Sequence, residues 1–85
     1  MNNAYWQGLK DDLHFAAQHH KETYDEFDPR GVAHAFTKSH PEVKLLGWVY
    51  TQLQYDTERV VRQLRLDVSV SEGGSTVLRT IEVTV

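Results

Sequence analysis

Five histidines are the side chains of this 85-residue chain best suited to metal binding or proton transfer. No two of them are spaced i and i+4, the spacing at which a helix points two zinc ligands the same way. Asp11 and His14 share a helix face at i and i+3, but no third ligand follows nearby. We therefore predict no metal site. The histidines are His14, His19, His20, His34 and His40.

The residues that usually carry covalent or phosphate-directed catalysis are also missing. The chain has no cysteine, no Gly-x-Ser-x-Gly motif and no glycine-rich phosphate loop. Turn geometry alone explains Gly73-Gly74. We predict that the protein is not an enzyme, has no catalytic residue or cofactor, and takes no small-molecule substrate.

An acidic segment over residues 22–28 holds most of the excess negative charge. Residues 1–28 contain two lysines and six acidic residues, in a chain whose net charge is −3. The carboxylates of Glu22, Asp25 and Glu26 alternate with aromatic rings and could meet a basic protein partner or mimic nucleic acid. The simpler interpretation is a solvated helix end whose charges keep a small domain in solution.

Length and composition predict one domain over residues 1–85. Hydrophobic residues make up 40% of the chain, enough for a core. A chain this short buries only about 60–65% of its unfolded surface, so self-association would add stability. No apolar run approaches the ~18 residues of a membrane span, and the N-terminus lacks a signal-peptide pattern. We expect a cytoplasmic protein without membrane segments.

The C-terminal residues predict a β-hairpin. Apolar and polar residues alternate over about 59–71 and about 76–85, with Gly73-Gly74 between the two runs. Paired glycines accept the positive φ angles of a primed tight turn. With the glycines at the turn centre, the sequence predicts these opposed pairs: Val70 and Val77, Leu66 and Ile81, Leu64 and Val83, and Arg65 and Glu82. One face of this hairpin is apolar and must be covered.

Three helices are predicted before the hairpin, over about 3–27, 29–38 and 40–55. Asn2 or Asn3 caps the first helix. Asp28-Pro29 ends the first helix and starts the second, with Asp28 as the N-cap. Ser39-His-Pro-Glu42 matches a capping box and would start the third.

An alternative replaces the third helix with a strand, because residues 47–61 are rich in Trp, Val, Tyr and Thr. A strand over about 44–54 that turned at Asp56-Thr57 would place Leu53 opposite Val60 and Val49 opposite Leu64. The fold would then be two helices and a three-stranded meander. The capping box favours the helix. The predicted fold class is therefore α+β, with three helices packed on the hairpin.

Residues 32–46 resemble the helix-turn-helix pattern. Val32, Ala33 and Phe36 match its first helix, and Ser39 the cap of its second. Three helices followed by a hairpin also resemble the winged-helix fold. The resemblance implies that His40, Lys44 and Trp48 would face DNA from the reading helix. The family usually has Gly where Thr37 stands, and a net acidic domain with a pI near 5.9 is poorly suited to phosphate contacts.

These observations favour binding over catalysis. The leading hypothesis is a small protein-interaction module that self-associates as a homodimer or binds a protein partner. It would use exposed aromatic residues, a free hairpin edge and the acidic face of Glu22, Asp25 and Glu26. A winged-helix DNA-binding regulator is the first alternative. An acidic inhibitor that mimics nucleic acid is the second. The identity of the partner does not follow from the sequence.

Overall fold

The structure, a computed structural model, describes residues 3–85 apart from the side chain of Glu72. Two helices come first, α1 (Asn3–Thr23) and α2 (Pro29–Ser39). An antiparallel sheet follows in the order β1-β2-β3, built from β1 (Val43–Gln54), β2 (Val60–Glu72) and β3 (Ser75–Thr84). The α+β class is confirmed, and the architecture is the predicted alternative of two helices and a meander. Of the two predicted caps, Asn3 is the first residue of α1, and Asn2 lies outside the described residues.

Helix α1 ends at Thr23, four residues earlier than predicted. The Thr23 hydroxyl donates to the carbonyl of His19 (2.7 Å), and the backbone N–H of Asp28 donates to His20 Nε2 (3.0 Å). The second bond closes residues 24–28 into a bend instead of a further helical turn. Acidic residues at a helix C-terminus also oppose its dipole, which makes an early end favourable.

Helix α2 begins as predicted, with Asp28 at the N-cap and Pro29 in the first turn. The Asp28 side chain makes no capping hydrogen bond. Its carboxylate instead lies so close to Gly31 that a Cβ there would sit 2.7 Å from Asp28 Oδ2. Glycine at residue 31 therefore leaves room for that carboxylate.

The predicted third helix over 40–55 is wrong, because residues 43–54 form strand β1. Ser39 is the last residue of α2 and does not cap a new helix. The N–H of His40 donates to the carbonyls of Phe36 and Thr37, and the N–H of Val43 donates to the His40 carbonyl. The capping-box residues thus form the end of one helix and the turn into a strand.

A β-bulge obscures the strand pattern of β1. Leu45 pairs with Val68 and Gly47 pairs with Asp67, which leaves Leu46 as an extra residue without a partner. The extra residue moves the side chains after it to the opposite face, so that the helix-side residues are spaced by two, three and two. The spacing of three breaks the strict alternation by which a strand is recognised. Up to Tyr50, the side chains of β1 that lie on the helix side are those of Val43, Leu45, Trp48 and Tyr50.

Between the bulge and the turn, the register differs from the one that the meander alternative predicted. Leu53 pairs with Val61 and Val49 with Arg65, each one residue away from the predicted partner. The turn is longer than Asp56-Thr57 alone, since the N–H of Tyr55 donates to the carbonyl of Arg59. Inside it, one carboxylate oxygen of Asp56 accepts from the N–H groups of Glu58 and Arg59.

The β2–β3 hairpin has the predicted register. Val70 opposes Val77, Leu66 opposes Ile81, Leu64 opposes Val83 and Arg65 opposes Glu82. Gly73 and Gly74 have φ angles of 54° and 84°, as a primed two-residue turn requires. Apolar alternation and turn chemistry specify the same pairing, because a slip of one residue would expose one strand's apolar side chains.

Both helices lie on one face of the sheet and cover the half near Val43. The core combines three residues of α1, three of α2 and the helix-side residues of the strands. Its members are Leu9, Leu13, Ala17, Val32, Ala33, Phe36, Val43, Leu64, Leu66, Val68, Val70, Ile81 and Val83. The β1–β2 ribbon projects beyond the helices, residues 51–59 are all exposed, and the molecule measures 49 × 21 × 21 Å. Within residues 3–85, no helix is both long and apolar enough to cross a bilayer.

Candidate protein-binding groove

An open groove of about 1130 Å³ runs between α1 and α2 on the side away from the sheet. The helices are antiparallel, since His20 contacts Asp28 at one end and Asp12 contacts His40 at the other. Small residues on both helices leave the space between them open. The groove is lined by Asp12, Phe15, Ala16, His19, His20, Tyr24, Asp25, Glu26, Asp28, Gly31, Val32, Ala35, Phe36, Ser39 and His40.

The floor of the groove is apolar. Ala16, Val32, Ala35 and Phe36 provide it, and Val32 and Phe36 are also core residues. Phe15 stands at its side with 74% of its surface exposed. An exposed phenylalanine next to an apolar floor forms a continuous surface that water solvates poorly.

Phe15 is exposed because of its angular position on α1. It is two residues from the buried Leu13, which places it about 200° around the helix from the core stripe. Its ring stacks on His19, with centroids 6.4 Å apart and planes 8° from parallel. This i, i+4 contact holds the phenyl ring over the helix surface.

The rim of the groove is acidic. Four carboxylates line it, and no lysine or arginine does so among residues 3–85. One of them, Asp12, lies 3.0 Å from Nε2 of His40, and this contact joins α1 to the turn before β1. The carboxylates of Asp25, Glu26 and Asp28 are not joined to a cation by an ion pair within the described residues.

An aromatic cluster fixes the far end of the groove. The His20 ring lies 4.6 Å from Tyr24 and 5.4 Å from Phe27, and Phe27 stacks on Tyr50 of β1 at 5.2 Å. His20 Nε2 accepts the Asp28 N–H, which requires a neutral ring protonated on Nδ1. The bend that carries Asp25 and Glu26 is thereby tied to both α1 and the sheet.

The structure brings together only part of the predicted acidic face. Asp25 and Glu26 line the groove. Glu22 is exposed on the last turn of α1, where its carboxylate accepts a hydrogen bond from the Gln18 amide (3.0 Å). Its side chain is not part of the groove lining.

The three residues that the helix-turn-helix resemblance assigned to DNA contact do not share one surface. His40 lies in the turn before β1 and at the rim of the groove. Lys44 is exposed opposite Ser69, on the sheet face without helices, whereas Trp48 lies opposite Leu66 on the helix side. The strand and its bulge thus separate residues that a helix would have aligned.

Sequence reasoning missed Phe15 and Ala35 as site residues. Both fall outside the apolar stripes by which helices are recognised. The signal for Phe15 was a large aromatic residue among polar neighbours on α1, where the unfavourable exposure of a phenyl ring needs an explanation. Ala35 gives no such signal, because alanine is common on exposed helix faces.

The described residues contain no group of three or more His, Asp or Glu side chains arranged to hold a metal ion. The histidines near the groove instead stack on aromatic rings or bond to neighbouring polar groups. Comparisons of the chain with protein-family models, with curated proteins and with solved structures give no match.

Proposed function

We propose that this chain is a non-catalytic protein-interaction module that binds a basic amphipathic helix of a partner protein in the groove between α1 and α2. One observation carries the proposal: an apolar floor with the exposed Phe15 beside it occurs in the same groove as three rim carboxylates that lack an ion pair within the described residues. Each feature alone is common on protein surfaces. Their combination matches a ligand that is apolar on one side and cationic on the other.

The antiparallel arrangement of α1 and α2 is suited to a helical ligand. An α-helix with side chains is about 10 Å across, and laid between two antiparallel helices it would complete a three-helix layer. Its apolar residues at i, i+3, i+4 and i+7 would cover Phe15, Ala16 and Ala35. Its lysines or arginines would lie beside Asp25 and Glu26, and opposite charges would speed association and orient the ligand.

The groove supports this function better than the DNA-binding alternative. The resemblance to a winged helix placed its reading surface on a helix, but Lys44 and Trp48 belong to β1 and His40 lies in the turn before it. DNA binding also depends on lysine and arginine contacts to phosphates, which an acidic groove cannot supply. The acidic-inhibitor alternative uses the same rim and differs in the role of the basic partner.

Two matched peptides test the proposal. One is a fluorescein-labelled amphipathic peptide of leucine and lysine, about 18 residues long and therefore ~27 Å as a helix. The other has every lysine replaced by glutamate. Fluorescence anisotropy should detect saturable binding of the lysine peptide, weakening as salt increases, and none of the glutamate peptide. Equal binding of the two peptides, or no binding of either, would contradict the proposal.

Substitutions identify the binding surface. The double variant Asp25→Asn/Glu26→Gln should weaken binding of the lysine peptide by about 2- to 30-fold, since two exposed ion pairs contribute about 0.2–1 kcal/mol each. Glu58→Gln, an exposed carboxylate on the β1–β2 turn, is the matched control and should leave binding unchanged. Phe15→Ala should weaken binding at least tenfold, roughly the effect of a buried aromatic contact. It should leave unfolding unchanged because most of Phe15 is exposed.

A further inference from the structure

The exposed apolar residues of the chain are concentrated along strand β1. Eight large hydrophobic side chains are exposed among the described residues. Five of them lie in or directly after β1: Leu46, Trp48, Val49, Leu53 and Tyr55. The sheet order β1-β2-β3 gives β1 a hydrogen-bonded neighbour on one side only. The same strand therefore has both an open edge and exposed apolar side chains.

The two edge strands of the sheet differ in their protection. β3 has Arg79 on the helix-side face and Glu82 on the other, and charged residues of this kind discourage strand pairing. β1 has one charged residue, Lys44, and a bulge at Leu46, both at its start. Residues 47–54 contain no charge, no proline and no bulge, so nothing discourages another strand from pairing there.

We propose that the chain forms a two-fold symmetric dimer in which β1 pairs antiparallel with β1 of a second copy, centred on Thr51. The two sheets then become one sheet of six strands. The dimer uses a different surface from the groove between the helices. Dimerisation and partner binding can therefore succeed or fail independently.

The choice of a second copy follows from the composition of the strand. In a two-fold pairing, β1 lies against an identical β1 of the second copy. A charged residue in the paired segment is therefore often close to a like charge. Residues 45–55 are uncharged and avoid this repulsion. Pairing of β1 with an extended segment of another protein would not require an uncharged strand. A wild-type chain that is dimeric on its own would exclude this alternative.

The centre at Thr51 follows from matching side chains on the helix-free face. Opposed residues in an antiparallel pair have their side chains on the same face of the sheet. The two-fold axis must therefore pass midway between the two copies of a single residue. With Thr51 at the centre, Val49 faces Leu53 of the second copy, and this apolar pair occurs twice. With Tyr50 at the centre, Val49 would face Thr51 and Leu53 would face Gly47, and both apolar side chains would lose an apolar neighbour.

The positions of the helices allow this pairing. The helices pack on β1 only as far as Tyr50, which Phe27 in the bend before α2 contacts (5.2 Å between ring centroids). Residues 51–59 are all exposed, so the helices leave Thr51 and the segment after it open. The projecting ribbon of each copy would lie beside Trp48 and Tyr50 of the other. It would cover Trp48, of which 36% is exposed.

Sedimentation equilibrium of the wild-type chain and two lysine variants tests the proposal. The wild type should have twice its 9.8 kDa chain mass. Leu53→Lys should raise the dissociation constant of the dimer by about tenfold or more, because the change affects both symmetric pairs. Leu78→Lys is the matched control, an exposed leucine on the same face at the other edge of the sheet, and should remain dimeric. A monomeric wild type, or equal dissociation of both variants, would overturn the proposal.

Disulfide crosslinking tests the register. The chain has no cysteine, so a single substitution introduces the only thiol. Thr51→Cys should form a disulfide-linked dimer on mild oxidation, because Cα atoms at the two-fold would be about 4.5–5.5 Å apart. Thr76→Cys on β3 should remain monomeric on a denaturing gel, and circular dichroism would confirm that both variants fold. Equal crosslinking of the two, or none at Thr51→Cys, would refute the register.

Discussion

Truncating one leucine on each face of the sheet tests which face the helices cover. Leu66 on β2 is 0% exposed, whereas Leu78 on β3 is 68% exposed on the opposite face. Leu66→Ala should lower the free energy of unfolding by about 3 kcal/mol, the cost of a cavity in a packed core. Leu78→Ala should change it by less than about 0.5 kcal/mol. A chain of this length has a total stability on the order of 4–13 kcal/mol, so the first change is large.

Urea unfolding followed by circular dichroism measures both variants. With a slope of about 1 kcal/mol per molar urea, Leu66→Ala should lower the midpoint by roughly 3 M. The midpoint of Leu78→Ala should coincide with that of the wild type. All samples need the same concentration, because self-association makes stability depend on it. Equal shifts in the two variants would refute the one-sided packing of the helices.

Three further predictions concern two glycines, the bend and the bulge. Gly73→Ala should destabilise the protein by about 1–2 kcal/mol because of its positive φ. Gly8→Ala in α1 should stabilise it by up to about 1 kcal/mol, and melting temperatures that move in the same direction would contradict one of these two expectations. His20→Phe keeps the ring contacts but removes the acceptor for the Asp28 N–H. It should lower the free energy of unfolding, measured in urea, by about 1 kcal/mol. An unchanged midpoint would disprove that this hydrogen bond stabilises the bend. Deleting Leu46 removes the bulge without changing any pairing and should shift the melting temperature by less than about 4 °C, whereas loss of cooperative unfolding would show that the bulge is needed.

The β2–β3 hairpin was predictable because independent signals specify the same register. The alternating apolar residues define the faces, and the paired glycines define the turn. A wrong register would have violated one of them. Local and tertiary preferences coincide here, and sequence reasoning is most reliable in such segments.

Strand β1 was not predictable by the same reasoning. The extra residue at Leu46 breaks the alternation by which a strand is recognised. Ser39 and Glu42 then have the spacing of a capping box, although Ser39 ends α2. Nothing local distinguishes these interpretations, because the strand is specified by its pairing with β2. The alternative of a meander was correct in topology and wrong by one residue in register beyond the bulge.

The candidate groove was predictable in charge but not in shape. The acidic segment identified Asp25 and Glu26 from composition alone. Their neighbours Phe15 and Ala35 come from two different helices, and only the antiparallel packing of those helices brings them together. A groove between elements depends on how closely the elements approach, which periodicity within each element does not reveal.

The most direct test of the proposed function is an NMR titration of the ¹⁵N-labelled protein with the leucine–lysine helical peptide. We predict that amide shift changes cluster in residues 12–20 and 24–40, which contain the residues that line the groove. The sheet face without helices should show none. Saturable shifts confined to the strands, or no shifts at all with a peptide that is helical in solution, would contradict the proposal that the groove binds a basic helix.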